Sequence, residues 1–340
     1  MSHALLSPSS SERWINCPPS AKENTDSDTG SSYAQQGTDA HTLCEFKVNQ
    51  ALGHKVRDPT ENLTYFDDEM ADCTDAYCEF VMEQVQLAKQ SCSDPLILVE
   101  QRLDFTRWVA GSFGTSDCII VADGTLTVID FKYGVGILVE ADNNSQMRMY
   151  ALGALNLFES LYDIQKIRMA IFQPRRDNVS IAELTKDELL HWADETLIPA
   201  ATLASKGEGE YKAGKHCQFC KIKATCRKRT EYNFQMAQYE FAVPNTLDNE
   251  EISVILERAD TFVGWVNDVK EYALEQALSG QVFPGFKVVE GRSNRRYINN
   301  ESVAEAVKNA GYDPYEKKLL GITAMTKLLG KKKFENILGS

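Results

Sequence analysis

Missing from this 340-residue chain is any long apolar run, since none approaches the roughly 18 residues that a membrane span requires. The serine-rich start is polar and holds no apolar segment of the kind that directs export. Both absences predict a cytoplasmic protein with no membrane partner. A disulfide framework is not expected either: nine cysteines are an odd number, and reduced thiols or metal ligation fit them better. Positive charge is also short, with 36 Lys and Arg against 49 Asp and Glu and a net charge of −13. That total argues against a polyanionic partner, because phosphate binding needs local positive potential. The distribution reverses the argument. Residues 205–231 carry eight Lys and Arg against three Glu, and residues 286–335 carry eleven against six acids, so each region stands at +5 in an otherwise acidic chain. Either these are solvated basic faces or they meet nucleic acid.

What is present, at 43% apolar content, suffices for one large core or a core and a half. Ser9-Ser10-Ser11-Glu12 has capping-box spacing and predicts a short helix that ends near Cys17, before Pro18-Pro19. Residues 20–32 read as a polar loop. Helices are expected over 34–52, stopped by Gly53, and over 67–90. Strands are expected over 96–104 and 117–122.

The segment from Asp117 to Lys132 carries the chemistry. Asp123-Gly124 between two β-branched runs predicts a two-residue hairpin turn. If Ala122 faces Thr125, then Asp117 lies opposite Asp130, with β-carbons about 5 Å apart. Two carboxylates at that distance repel unless a cation sits between them, so a metal site is the natural resolution. The strand period of two puts Leu126, Val128, Asp130 and Lys132 on one face, with the ammonium beside the same carboxylates. The alternative is an exposed hairpin with ordinary surface charges; the apolar run around Asp130 favours an interior strand.

Asp117 followed by Asp130-Phe131-Lys132 resembles the core of the PD-(D/E)XK nucleases, with Asp130 where many members have Glu. The RecB-like branch resembles the chain further, through Gly37-Thr-Asp-Ala-His41 before the hairpin and Gln146-Met-Arg-Met-Tyr150 after it. The resemblance implies an α/β fold, a central mixed sheet flanked by helices. It implies a Mg2+ or Mn2+ ion held by His41, Asp117, Asp130 and the Phe131 carbonyl, with DNA as substrate. Lys132 would position the attacking water, and Gln146 and Tyr150 would orient the strand or support the ligands. His41 can offer a neutral imidazole nitrogen, and Glu45, one turn later, is a candidate partner for a second ion.

Cys217-Gln-Phe-Cys220-Lys-Ile-Lys-Ala-Thr-Cys226 places three thiolates in a short loop, one ligand short of a four-cysteine site. Cys17, in Arg13-Trp14-Ile-Asn-Cys17-Pro18, resembles the upstream cysteine of iron–sulfur RecB-like nucleases, found in helicase-linked recombination and in CRISPR adaptation. There one N-terminal and three C-terminal cysteines hold a 4Fe–4S cluster. Zinc, with Cys17 or His216 as fourth donor, is the competing ligand set. Cys44, Cys73, Cys78, Cys92 and Cys118 have no ligand spacing and read as small buried hydrophobes.

Residues 1–235 are thus expected to form a RecB-like nuclease domain closed by the cluster, and 236–340 a helical, basic appendage. There, 248–279 reads as one long or two short amphipathic helices, 285–296 as a strand and basic turn, and 319–334 as a small helical unit. This tail resembles a family of phage and prophage proteins that share the nuclease core. DNA contacts are expected at Arg292, Arg295, Arg296, Lys331, Lys332 and Lys333, and a phage single-strand-binding or recombination protein as a possible partner. The function expected is a DNA nuclease, an exonuclease acting on ends or single strands; the alternatives are a zinc-stapled endonuclease and a non-catalytic DNA-binding protein with the same fold.

Overall fold

The computed structural model describes residues 4–24, 32–235, 247–290, 299–315, 319–320, 325, 328–329, 333–334 and 337. They divide into two compact units, Met1–Gly280 and Gln281–Ser340. The first is α/β. Its five-stranded mixed sheet runs in the order β1 (Leu96–Asp104), β2 (Phe113–Ala122), β3 (Thr125–Phe131), β4 (Lys166–Gln173), β5 (Asn178–Thr185). Neighbours are antiparallel except β3 and β4. That parallel pair needs a crossover, supplied by α4 (Ser145–Phe158).

The hairpin forms in the expected register. Ala122 pairs with Thr125 and Cys118 with Ile129, and Gly124 takes the positive φ (+74°) that the tight turn requires. Strand parity then sorts the side chains. Ile119, Val121, Leu126 and Val128 face a core shared with Trp14, with α4 and with α5 (Lys186–Trp192) and α6 (Ile198–Lys206). Cys118, Ile120, Ile129 and Phe131 face the opposite core, packed against α2 (Ser32–Ala51) and α3 (Asp68–Ser91). Both faces of β2 and β3 are therefore covered, which is why the hairpin is apolar along its length. Glycine at 153 lets α4 approach β1, since a β-carbon there would lie 2.5 Å from the Phe105 ring.

Local expectations fail where tertiary contacts intervene. The helix α1 (Ser11–Asn16) starts from Ser10 without a side-chain cap bond, because a 3-10 turn, Pro8–Ser10, precedes it and Ser11 Oγ instead meets Ser145 Oγ at 2.6 Å. The expected loop after Ser20 is in part a 3-10 segment, Pro18–Asn24, whose first four residues are buried. Residues 25–31 lie outside the described residues. β2 begins at Phe113, four residues before the expected start, because β1 pairs with it down to Asp104 opposite Phe113.

Past α7 (Arg227–Phe234), the segment 248–279 is one helix, α8 (Asn249–Leu278), opened by a capping box between Asp248 and Glu251. It belongs to the first unit, whereas the sequence reading set a boundary after 235. Trp265 is 8% exposed and meets the Phe234 ring at 5.5 Å, while Asp268 pairs with Arg229 at 2.6 Å and Lys223 at 2.8 Å. In the second unit α9 (Asn300–Asn309) is capped by Asn299. Residues 285–290 form no strand, and Phe286, Val288 and Val289 are exposed, with no strand of the second unit beside them among the described residues. In the expected helical unit 319–334, Met325, Leu328, Leu329, Lys333 and Phe334 are helical, and Leu319 and Leu320 are not. Among the described residues no helix is long and apolar enough to cross a membrane.

Candidate active site and cysteine cavity

The charged residues of the hairpin gather where β2 and β3 part. Their ladder ends at Cys118 and Ile129, and beyond it the Phe131 N–H donates to Asp117 Oδ2 at 2.7 Å. The second oxygen, Asp117 Oδ1, lies 3.2 Å from His41 Nδ1 of α2. The Phe131 ring packs edge-on against the imidazole, with centroids 5.5 Å apart, which limits its rotation. Asp130, 2% exposed, has Oδ2 2.9 Å from Lys132 Nζ and takes Gln146 Nε2 at 3.3 Å on Oδ1. Gln146 also accepts from Lys132 Nζ at 3.0 Å and donates to Tyr150 Oη at 3.0 Å. His41, Asp117 and the Phe131 N–H thus form one bonded group and Asp130, Lys132, Gln146 and Tyr150 another, and the consecutive residues 130–132 tie the two together.

Electrostatics distinguishes the two acids. Burial works against the Asp117 carboxylate, but His41, the Phe131 N–H and Lys132 outweigh it and hold its pKa below the ordinary value. For Asp130 burial prevails over Lys132, with Asp117 adding repulsion, and the pKa is raised. Lys132 is pushed down by burial but up more strongly by Asp130, so it stays charged. Burial also lowers His41, yet Asp117, with Asp130 and Glu100 behind it, lifts the imidazole to about 9. Without a metal the imidazole therefore keeps its proton, which a bound ion would displace to use the neutral ring.

Sequence reasoning missed Glu100. Ligand atoms of His41, Glu100 and Asp117 lie within 4.8 Å of one another, a spacing a cation could bridge. Glu100 sits in β1 between Val99, which pairs with Cys118, and Gln101, which pairs with Ser116, so register sets it against Asp117. Its φ of +49° is a left-handed conformation rare for such a residue, and it interrupts the strand here. Burial first, then Asp117, pushes its carboxyl up to about 8. Glu45 is exposed and reaches the cluster only as a charge acting on Glu100. Gly37 has nothing within 4 Å of a would-be β-carbon and no positive φ, so sterics do not explain that glycine.

A second constellation lies where residues 13–20 meet residues 211–229. Cys17, Cys217, Cys220 and Cys226 line one cavity together with Arg13, Ser20, Lys223 and Arg229. Asn24 joins the two segments: its amide donates to Cys220 Sγ at 3.6 Å and to Ser20 O at 2.7 Å, and its Oδ1 accepts from Lys221 N at 2.8 Å. Gly214 N–H donates to Cys217 Sγ at 3.4 Å. His216 shares the wall, with Nε2 3.0 Å from Lys212 O. Arg13 is 8% exposed and among the described residues donates only to Ser20, to the carbonyl at 2.6 Å and to Oγ at 3.3 Å. The Ser11–Ser145 bond links the helix ending at Cys17 to the residue before Gln146.

Over residues 3–340 the chain matches the family described as "Protein of unknown function (DUF2800)". It belongs to the DUF2800 family. Among solved structures, the crystal structure of SSO0001 aligns to this DUF2800 chain at 14% identity, over 57% of this chain and 98% of that one. The TM-score is 0.26, too low for the two folds to be equated.

The remaining predicted residues of the DUF2800 chain are placed as follows. Arg292, Arg295, Arg296, Lys331 and Lys332 lie outside the described residues, and Lys333 is helical and exposed. The other five cysteines are free; Cys44 and Cys118 are buried, while Cys73, Cys78 and Cys92 are half-buried.

Proposed function

We propose that this chain is a metal-dependent deoxyribonuclease of the RecB-like PD-(D/E)XK type, with a 4Fe–4S cluster on Cys17, Cys217, Cys220 and Cys226. The observation that carries the reading is the network of His41, Asp117, Asp130, Lys132 and Gln146. A non-catalytic DNA-binding module has no use for buried carboxylates facing phosphate, whereas a phosphodiesterase needs anionic ligands for a cation beside a cationic group. When bound, Mg2+ or Mn2+ polarises the scissile phosphate and lowers the pKa of a bound water. His41, Asp117, Asp130 and the Phe131 carbonyl would hold that ion, and Glu100 adds a carboxylate within reach of His41 and Asp117.

The side chains supply the rest. Asp117 remains an anion and is a ligand at neutral pH. Lys132 keeps its proton through Asp130 and offsets charge that develops on phosphate oxygens. Gln146 fixes the ammonium relative to Asp130, with Tyr150 as its backstop. The segregated basic regions, at +5 each, supply positive potential for DNA in an acidic chain. The substrate we favour is a DNA end or a single strand, in phage recombination or replication.

For the cysteines we favour the cluster over zinc because Cys17 and the Cys217–Cys226 loop stand in the order of the iron–sulfur RecB-like nucleases and line one cavity. The buried guanidinium of Arg13 also suits an anionic metal–thiolate group.

The test is digestion of end-labelled linear and circular DNA with Mg2+ or Mn2+ by anaerobically purified protein. Wild type should degrade linear DNA, and Asp117→Ala, Asp130→Ala and Lys132→Ala should not while still binding it. Full cleavage by any of these variants overturns the assignment, and cleavage of closed circles makes the enzyme an endonuclease.

A further inference from the structure

Buried cations are paired with anions or they are costly, and Arg13 is a buried cation with no carboxylate partner among the described residues. Its hydrogen-bond acceptors are neutral, the Ser20 carbonyl and hydroxyl. The charges that reach it are those of Cys220 and Cys17. The other cations of the cavity wall differ: Lys212 is exposed to solvent, and Lys223 and Arg229 share one carboxylate. Arg229 lies 2.6 Å from Asp268 and Lys223 lies 2.8 Å from it, so these three groups together contribute one net positive charge. Four cysteine thiolates around a 4Fe–4S core of charge +2 carry −2 in total. Arg13, with the net positive charge of the Asp268 group, balances that. One-electron reduction of the cluster adds a negative charge beside the same guanidinium.

We propose that Arg13 is the built-in counter-charge of the cysteine-bound cluster: it holds no metal atom itself but sets the cluster's reduction potential by favouring the more negative, reduced form. The proposal rests on the cluster reading above. It makes Arg13 a positioning residue for redox chemistry, because hydrogen bonds, burial and net charge around the sulfurs tune such clusters. Ser20 holds the guanidinium from two directions, and Ser20 is itself buried on the 3-10 segment that follows Cys17. The charge is therefore fixed to the same turn of chain that supplies the remote ligand.

The experiment compares wild type, Arg13→Gln and Arg13→Lys, each purified anaerobically, by iron and sulfide content and by a redox titration followed by absorbance near 400 nm and by EPR. Wild type must first show the chromophore and about four irons per chain; stoichiometric zinc instead refutes the cluster reading and leaves Arg13 no potential to set. With the cluster present, Arg13→Gln should shift the reduction equilibrium at least tenfold toward the oxidised form, ~59 mV lower for a one-electron couple. Arg13→Lys, which keeps the charge, should stay within threefold of wild type. An unchanged potential in a fully loaded Arg13→Gln protein overturns the proposal. If Arg13→Gln cannot be loaded, Arg13→Lys decides: loading with a near wild-type potential supports the charge role. Failure of Arg13→Lys to load, or a fall in its potential to the extent expected of Gln, overturns it in favour of a purely structural guanidinium.

Discussion

Replacing Lys132 with Met tests whether the Asp130–Lys132 pair is as unequal as the structure makes it. Asp130 has a side chain 3% exposed, against 28% for Lys132. Removing the lysine leaves the carboxylate with one long hydrogen bond, from Gln146 at 3.3 Å. Breaking a buried ion pair in this way costs about 3–5 kcal/mol. We expect the low end, ~3 kcal/mol, because Asp130 escapes part of the penalty by taking up a proton. At ~2–4 °C per kcal/mol for a domain of roughly this size, the melting point falls by about 6–12 °C. The loss depends on pH with a definite sign. The folded pKa of Asp130 is already raised by burial, and without Lys132 it rises further above the unfolded value of ~3.9. A raised pKa costs nothing below the unfolded value and costs more as pH climbs toward the folded one. Lys132→Met should therefore melt far below wild type at pH 8 and near it at pH 4.5. Asp130→Asn/Lys132→Met should recover most of the loss, since no buried charge remains. Thermal melts of the four proteins of this cycle at both pH values make the assay. A double variant no more stable than Lys132→Met, or a loss independent of pH, refutes the argument.

Three further outcomes follow from the same geometry. Binding of Mn2+, measured by calorimetry in two buffers of different ionisation enthalpy, should release protons below pH 8 and tighten as pH rises, because His41 is lifted to about 9 and Glu100 to about 8; the same raised values mean that metal-free stability declines as pH rises, from ~4.3 toward 8 through Glu100 and from ~6.5 toward 9 through His41, and a pH-independent affinity or melting point would contradict this. Cys17→Ala should lose iron and thermal stability about as far as Cys220→Ala, although about 200 residues separate them, because shared ligation closes a long loop and its binding energy is folding energy; full iron content in Cys17→Ala would remove it from the ligand set. Charge reversal at Arg292, Arg295 and Arg296, or at Lys331, Lys332 and Lys333, should weaken DNA binding and flatten its dependence on salt, since fewer counterions are released; an unchanged slope would leave those clusters as solvated faces.

Sequence alone was informative wherever one short stretch of chain sets its own geometry. The Asp123-Gly124 turn dictates a two-residue connection, so the register of β2 on β3 follows from counting, up to the Cys118–Ile129 pair just before Asp117 and Asp130. Strand parity likewise puts Asp130 and Lys132 on the α4 side, where Gln146 meets both. The bounds of α3 were legible because Asp67 is a capping residue whose side chain accepts from Met70 N. Glu100 was not legible. Its place opposite Asp117 depends on the register of β1 on β2, which are joined by the eight residues 105–112 rather than a tight turn, and loop length does not fix that register. Its left-handed φ has no signature in a glutamate. Arg13 was hidden for the same reason: whether an arginine is a surface charge or a buried one without a carboxylate is decided by what packs around it. The loop of Cys217, Cys220 and Cys226 announced three candidate ligands by spacing, but only tertiary structure brings Cys17 and Arg13 to the same cavity. It also decided that α8 belongs to the first unit, through Trp265 and Asp268, whose partners lie about 30–45 residues away. Short-range geometry is carried by backbone stereochemistry and is readable residue by residue; proximity across tens or hundreds of residues is carried by burial and charge pairing, which exist only once the chain has packed.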